Sequence, residues 1–199
     1  MSKVLLTILL ALILCSTAAA DLYVHIGTSG GAWPQAAYVI TPADWSEVPA
    51  WMPAQFDTFC VERTVTFTPG TYLATIDDEV LLAGTTGLTV LQDDVKKIYA
   101  AYLNLELQDL DENLIQESVW AAQGYGDYSV NGTIASRIAD TSKIAGWNDV
   151  KVLNLWEDNG GDVQSQLVMT PVPGAGILGV LGLGLASWRL KRRKMALAA

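Results

Sequence analysis

The spacing of apolar residues changes repeatedly along this chain, and each change marks an element. Leu22-Tyr23-Val24-His25-Ile26 and Ala37-Tyr38-Val39-Ile40 are short β-like runs separated by the loop Gly27 to Pro34. Trp33, Pro34, Pro42, Trp45, Pro49, Trp51 and Pro53 make the stretch to Pro53 an aromatic connection and argue against a regular helix throughout, since proline has no N–H to donate. Alternation returns from Thr58 to Phe67. Phe59, Val61, Val65 and Phe67 share one face, broken by Arg63, and Thr58, Cys60, Glu62, Thr64 and Thr66 share the other. Pro69-Gly70 then turns the chain, so Thr71 to Ile76 is expected to be the hairpin partner of that strand.

After Asp77-Asp78-Glu79 the period becomes helical. Val95, Ile98, Tyr99, Tyr102 and Leu103 recur at i, i+3, i+4, i+7 and i+8, with Asp93 or Asp94 available as the cap. A second helix is expected after Asp109 to Asp111, with Leu114, Ile115, Ser118, Val119 and Ala122 on its inner stripe, and Ile134, Ile138 and Ile144 suggest a third. Val150 to Trp156 and Gln164 to Met169 flank Asn159-Gly160-Gly161 and predict a closing β-hairpin. The expectation is one β-rich α+β domain over residues 21–170, with two or three helices inserted between strands.

The two ends follow a different pattern. Residues 1–20 read as a secretory signal peptide: Lys3, an apolar run from Val4 to Leu14, then Ala18-Ala19-Ala20, with cleavage expected after Ala20. Leu14 before Cys15 argues against lipidation. Residues 171–199 read as a sorting and anchor segment. Pro171, Val172 and Pro173 precede an apolar stretch that begins at Gly174 and includes Ile177, Leu178, Val180, Leu181, Leu183 and Leu185. Trp188 falls at the expected interface, and Arg189, Lys191, Arg192, Arg193 and Lys194 form a cluster expected on the cytoplasmic side. Gly174 to Leu190 as a helix reaches roughly 25 Å at about 1.5 Å per residue, slightly short of a hydrocarbon core of about 30 Å. The ends together predict export, with initial anchoring in the inner membrane and a final place in the periplasm, at the cell surface or in the extracellular matrix.

Charge narrows the partners. The 199 residues include 12 Lys+Arg and 21 Asp+Glu, a net charge of -9, and all 21 acids lie between Asp21 and Thr170. Lys3 and the terminal cluster take half of the basic residues, so the body is more acidic still and no nucleic-acid partner is expected.

The terminal Pro-x-Pro, Gly-rich apolar helix and Arg/Lys cluster resemble the PEP-CTERM sorting signal of Gram-negative exopolysaccharide-producing bacteria, with Val172 standing where that family has Glu. The resemblance implies an exosortase-like processing enzyme, the secretion machinery and the membrane as partners, and association with exopolysaccharide. The body resembles a recurring domain of PEP-CTERM proteins through Phe59-Cys60-Val61-Glu62, Ile115-Gln116-Glu117-Ser118-Val119-Trp120, Val150-Lys151-Val152-Leu153-Asn154-Leu155 and Gln164-Ser165-Gln166-Leu167-Val168.

The candidate chemistry centres on a thiol. Once residues 1–20 are removed only Cys60 remains, so no intramolecular disulfide is possible. Cys60 reads as a small buried hydrophobe, as a partner in an intermolecular disulfide, or as a nucleophile. The third reading rests on resemblance to the thioester domains of bacterial surface adhesins, where an aromatic-Cys-apolar strand meets an apolar-Gln-x-x-apolar helix. Phe59-Cys60-Val61 and Ile115-Gln116-Glu117-Ser118-Val119 fit those half-motifs, and Trp120 could shield the bond from water. A cysteine hydrolase would need His25, the only histidine, which no signature links to Cys60. The acidic groups lack the ligand spacing of a calcium loop, so no metal and no cofactor are expected. The reading favoured by sequence is a noncatalytic exported surface or matrix protein, followed by a covalent adhesin with a Cys60 to Gln116 thioester, and only then an enzyme.

Overall fold

The computed structural model describes residues 22–28, 38–42, 51–65, 68–81 and 87–170. The signal peptide read in residues 1–20 and the sorting and anchor segment read in residues 171–199 lie outside the described residues.

Six strands, β1 (Leu22–Thr28), β2 (Tyr38–Pro42), β3 (Phe56–Thr58), β4 (Gly70–Asp77), β5 (Val150–Trp156) and β6 (Asp162–Met169), form one antiparallel sheet in the order β3-β2-β1-β4-β5-β6. Three helices, α1 (Asp93–Leu103), α2 (Glu112–Gln123) and α3 (Gly132–Ile138), lie between β4 and β5 in sequence. The architecture of the described residues is therefore α+β and includes no membrane-spanning helix. Among the described residues no helix is long and apolar enough to cross a membrane. The longest has 12 residues, about 18 Å against a hydrocarbon core of about 30 Å.

The strand expected over Thr58 to Phe67 is corrected to a short one. β3 ends at Thr58, residues 59–61 continue extended, and the chain bends at Val61, Arg63 and Thr64. Arg63, which broke the apolar face, is exposed there, while Glu62 is drawn inward to accept the Ser165 N–H at 2.8 Å. The expected hairpin between this segment and Thr71 to Ile76 does not form. β4 pairs with β1 and β5 instead, which joins its inward Tyr72 and Ala74 to Leu22, Val24, Leu153 and Leu155.

The two edges of the sheet meet. Thr58 Oγ1 donates to Leu167 O at 2.6 Å and accepts from Leu167 N at 3.0 Å, and Cys60 bridges Gln166 antiparallel. The sheet thus closes on itself through β3, its extension and β6. Closure separates two cores. Leu22, Val24, Ile26, Tyr72, Ala74, Leu153, Leu155, Val168 and Cys60 fill the inside of the curled sheet. Phe59, Val61, Val150, Val152 and Leu167, on the other face, pack on Val95, Ile98, Tyr99, Ile115, Val119 and Ile134 of the helices. Period-2 alternation from Phe59 to Val61 sends neighbouring residues into different cores.

Helix starts and stops are locally encoded. Asp111 accepts from the Asn113 N–H and Gly124, at φ 104°, ends α2 in the left-handed conformation that glycine adopts without steric cost. Asn131 caps α3 by accepting from Thr133 and Ile134. The cap expected at Asp93 or Asp94 is corrected: Gln92 is the N-cap, makes no side-chain cap bond, and the two aspartates sit in the first turn, where the helix dipole favours negative charge. Ile144 falls beyond α3, after the short 3-10 turn Thr141–Lys143, yet is buried in the helix-side core.

Candidate functional site

Where the extension of β3 runs beside β6, Val61 N donates to Ser165 O at 3.0 Å and Leu167 N to Phe59 O at 3.2 Å. In an antiparallel pair those bonds flank Cys60 and leave its own N–H and C=O directed away from β6. A further strand would normally take them. Here α2 does so through one side chain: Gln116 Oε1 accepts the Cys60 N–H at 2.8 Å, and Gln116 Nε2 donates to Cys60 O at 2.7 Å. The carboxamide substitutes for one peptide group of an absent neighbour, and the two half-motifs legible in sequence are joined at their central residues.

The thiol is held from the other side. Cys60 Sγ donates to Gln164 Oε1 at 2.9 Å and accepts from Gln166 Nε2 at 3.3 Å. Gln164 and Gln166 are two apart on β6, so strand alternation puts both on the face that Cys60 shares. Cys60 is 2% exposed and Gln166 fully buried; Gln116, Gln164 and Glu62 are buried with them. Gln164 Nε2 donates to Glu62 O, and Ser165 Oγ donates to Asn154 Oδ1 at 2.7 Å. The sequence reading quoted Gln164 and Gln166 only within a motif and gave them no role. The signal that could have found them is a polar residue at every second position of a strand whose two faces are both buried.

Trp120, one turn along α2 from Gln116, packs against the same buried group. Tyr128 leans on it with ring centroids 5.5 Å apart, and the Arg63 guanidinium sits 4.9 Å from the centre of the Tyr128 ring. Arg63 is fixed there by an ion pair with Asp127. Among the described residues, Trp120 Nε1 and Gln166 Oε1 of the cluster are buried without a hydrogen-bond partner. Burial, first of all, pushes the Tyr125 hydroxyl above its ordinary pKa.

Other candidates are displaced. His25 is exposed on β1, its Nδ1 3.3 Å from Thr71 Oγ1, while Leu22, Val24 and Ile26 of that strand point inward toward the core that holds Cys60. Alternation thus puts the imidazole on the face opposite the thiol. Burial also removes the intermolecular disulfide, because a partner sulfur cannot reach a side chain enclosed on both sides. Among the described residues no group of three or more His, Cys, Asp or Glu is placed to hold a metal ion. Asp78 pairs with Lys151 and Asp109 with Arg137, and Lys96 and Lys97 neutralise the first turn of α1. Trp33 and Trp45 lie outside the described residues. Trp51 lines a cavity of about 370 Å³ with Phe56, Tyr99, Leu103 and Met169.

Compared with known proteins, the chain matches no family model, no curated protein and no solved structure. Membership of the PEP-CTERM proteins is therefore not supported, and neither the comparisons nor the described residues support the readings made from it and from the two ends. These are the exported surface or matrix protein, the Pro171, Val172 and Pro173 sorting motif as a processing site, and the exosortase-like enzyme, secretion machinery, membrane and exopolysaccharide as partners. Inner-membrane, periplasmic, cell-surface and matrix locations have no further basis. The buried carboxamide cluster around Cys60 stands on geometry alone.

Proposed function

We propose that this domain carries an internal thioester between Cys60 Sγ and the side-chain carbonyl carbon of Gln116, and that it acts as an acyl donor which reacts once with an external nucleophile. The observation that supports this most is the docking of the Gln116 carboxamide on both backbone polar groups of Cys60. That contact puts the electrophilic carbon beside the residue whose sulfur would attack it. The Cys60 N–H, 2.8 Å from Oε1, is positioned to stabilise negative charge as it develops on that oxygen.

The formation step balances as follows. Sγ attacks the carboxamide carbon and a C–S bond forms; the carbon–Nε2 bond breaks, and Nε2 leaves as ammonia with the thiol proton. A nucleophile then attacks the same carbon, takes the Gln116 acyl group and returns Cys60 to a thiol. The domain is consumed by the reaction, so it is a stoichiometric reagent and not a turnover enzyme, and the step uses no cofactor. Burial behind Trp120, Tyr128 and Arg63 protects the bond from hydrolysis until a nucleophile enters.

Brief exposure of the folded protein to methylamine is the test. The expected product carries methylamine on Gln116 and a newly alkylatable thiol at Cys60, both located by peptide mass. If methylamine leaves the folded protein unchanged at both residues, Gln116 is only the cap of a strand edge and the proposal fails.

A further inference from the structure

Two glutamine side chains of β6 contact the thiol, and they are not equivalent. Gln164 offers an acceptor, Oε1, to the S–H at 2.9 Å, while Gln166 offers a donor, Nε2, to the sulfur at 3.3 Å. Each carboxamide is oriented by more than the sulfur. Gln164 Nε2 is tied to Glu62 O, which fixes which end of that amide faces Cys60. Gln166, directly opposite Cys60, is fully buried; its Oε1 has no partner among the described residues, and its Nε2 turns to the sulfur. A buried amide oxygen without a partner is costly, and nothing in an apolar sheet interior requires it; leucine would fill the same space.

We infer that Gln164 and Gln166 are positioning residues for thioester formation, acting on the thiol in opposite senses; the inference rests on the thioester reading above. Gln164 draws the S–H proton along one direction and thereby turns a sulfur lone pair away from itself, toward the α2 side where Gln116 lies. Gln166 donates into the sulfur and stabilises the negative charge that grows there as the proton is withdrawn. Neither glutamine exchanges a covalent bond. The proton passes from sulfur to the departing Nε2 of Gln116, and the pair governs how readily the sulfur reaches that carbon.

The two roles make opposite demands on the same substitution. Gln164→Glu keeps an acceptor facing the thiol, whereas Gln166→Glu replaces a donor that faces it. Each change replaces one amide NH2 by a carboxyl oxygen on the same face of β6, and Gln164→Glu also loses the bond to Glu62 O, so a purely structural role would make Gln164→Glu the more damaging of the two.

The full-length protein is treated with ammonia, which restores the Gln116 carboxamide and the Cys60 thiol. Ammonia is then removed and the return of the mass deficit is followed by intact mass. Gln166→Glu is expected to slow the return by about tenfold or more, the effect of one lost hydrogen bond to the reacting group. Gln164→Glu should stay within a few-fold of wild type, with a rate that rises with pH as the new carboxyl ionises. The uncharged Gln164→Met and Gln166→Met are both expected to be slow while keeping wild-type protection of Cys60 from alkylation, and they decide the matter if a glutamate variant does not fold. Equal rates for the two glutamate variants, or wild-type rates for both methionine variants, overturn the inference while leaving the thioester standing. A wild-type protein that never shows a mass deficit overturns the thioester, and this inference with it.

Discussion

The two cores of this domain share β5, β6 and the extension of β3 but are built to different rules. On the helix side, Phe59 meets Tyr102 and Tyr99 edge to face, with ring centroids 4.9 and 6.5 Å apart, among Val, Ile and Leu side chains. Inside the curled sheet, Leu, Val and Ile give way around Cys60 to buried glutamines and a glutamate. An apolar core is stabilised by area and packing and tolerates substitutions that keep volume. A polar one is stabilised only while every bond is made. The difference teaches where constraint other than stability acts: residues 59 and 60 are adjacent, yet only the second faces groups that a simple core would replace.

Substitutions can break this comparison. The largest effect is expected from Phe59→Ala, which empties the aromatic centre of the helix-side core and should cost about 3–5 kcal/mol in denaturant unfolding. Gln116→Leu comes next. Measured against wild type whose Gln116 carboxamide has been restored with ammonia, it conserves size and adds apolar surface, yet strands the N–H and C=O of Cys60, so a loss of about 2–4 kcal/mol is expected. Its neighbour Ile115→Leu, fully buried in the other core, should cost less than about 1.5 kcal/mol. If the two leucine variants unfold at the same denaturant concentration, the contrast between the cores is wrong. Tyr99→Phe sharpens it within the apolar core. The Tyr99 hydroxyl, pushed by burial far above its ordinary pKa and so always a neutral donor, donates to Asp57 O at 2.8 Å, and its loss should cost about 1 kcal/mol.

The smallest effect concerns the surface. The hydrogen bond from Arg137 holds the Asp109 carboxyl below its ordinary range. A lowered carboxylate pKa contributes stability above the unfolded value, about 3.9, and that contribution is lost as pH falls through the folded value. The gap in melting temperature between wild type and Arg137→Gln should therefore be small at neutral pH, since the pair is solvent-exposed, and should close in acid. A gap that widens below the carboxylate range would contradict the assignment.

What could be read from sequence depended on whether a signal was local. The α1 stripe from Val95 to Leu103, the start of α2 after Asp109 to Asp111 and the hairpin around Asn159-Gly160 are set by residues a few positions apart, and they are visible without a fold. Strand pairing is not local. Pro69-Gly70 looked like a hairpin turn, but Tyr72 and Ala74 found a better inner face in β1 and β5. At the site, Cys60 and Gln116 were legible as half-motifs, and their contact needed α2 to cover an unpaired strand edge. Gln164 and Gln166 showed only as polar residues at alternate positions of a buried strand, because nothing in their own segment states which face of β6 the thiol occupies.

The central claim is most directly tested by the intact mass of the folded protein, untreated and never exposed to amines. A Cys60 to Gln116 thioester should make it one ammonia lighter than the mass of its own polypeptide, and Cys60→Ala or Gln116→Ala should each remove the deficit. A full polypeptide mass, with Cys60 alkylated stoichiometrically once the protein is unfolded, would contradict the account and leave Gln116 as the cap of a strand edge.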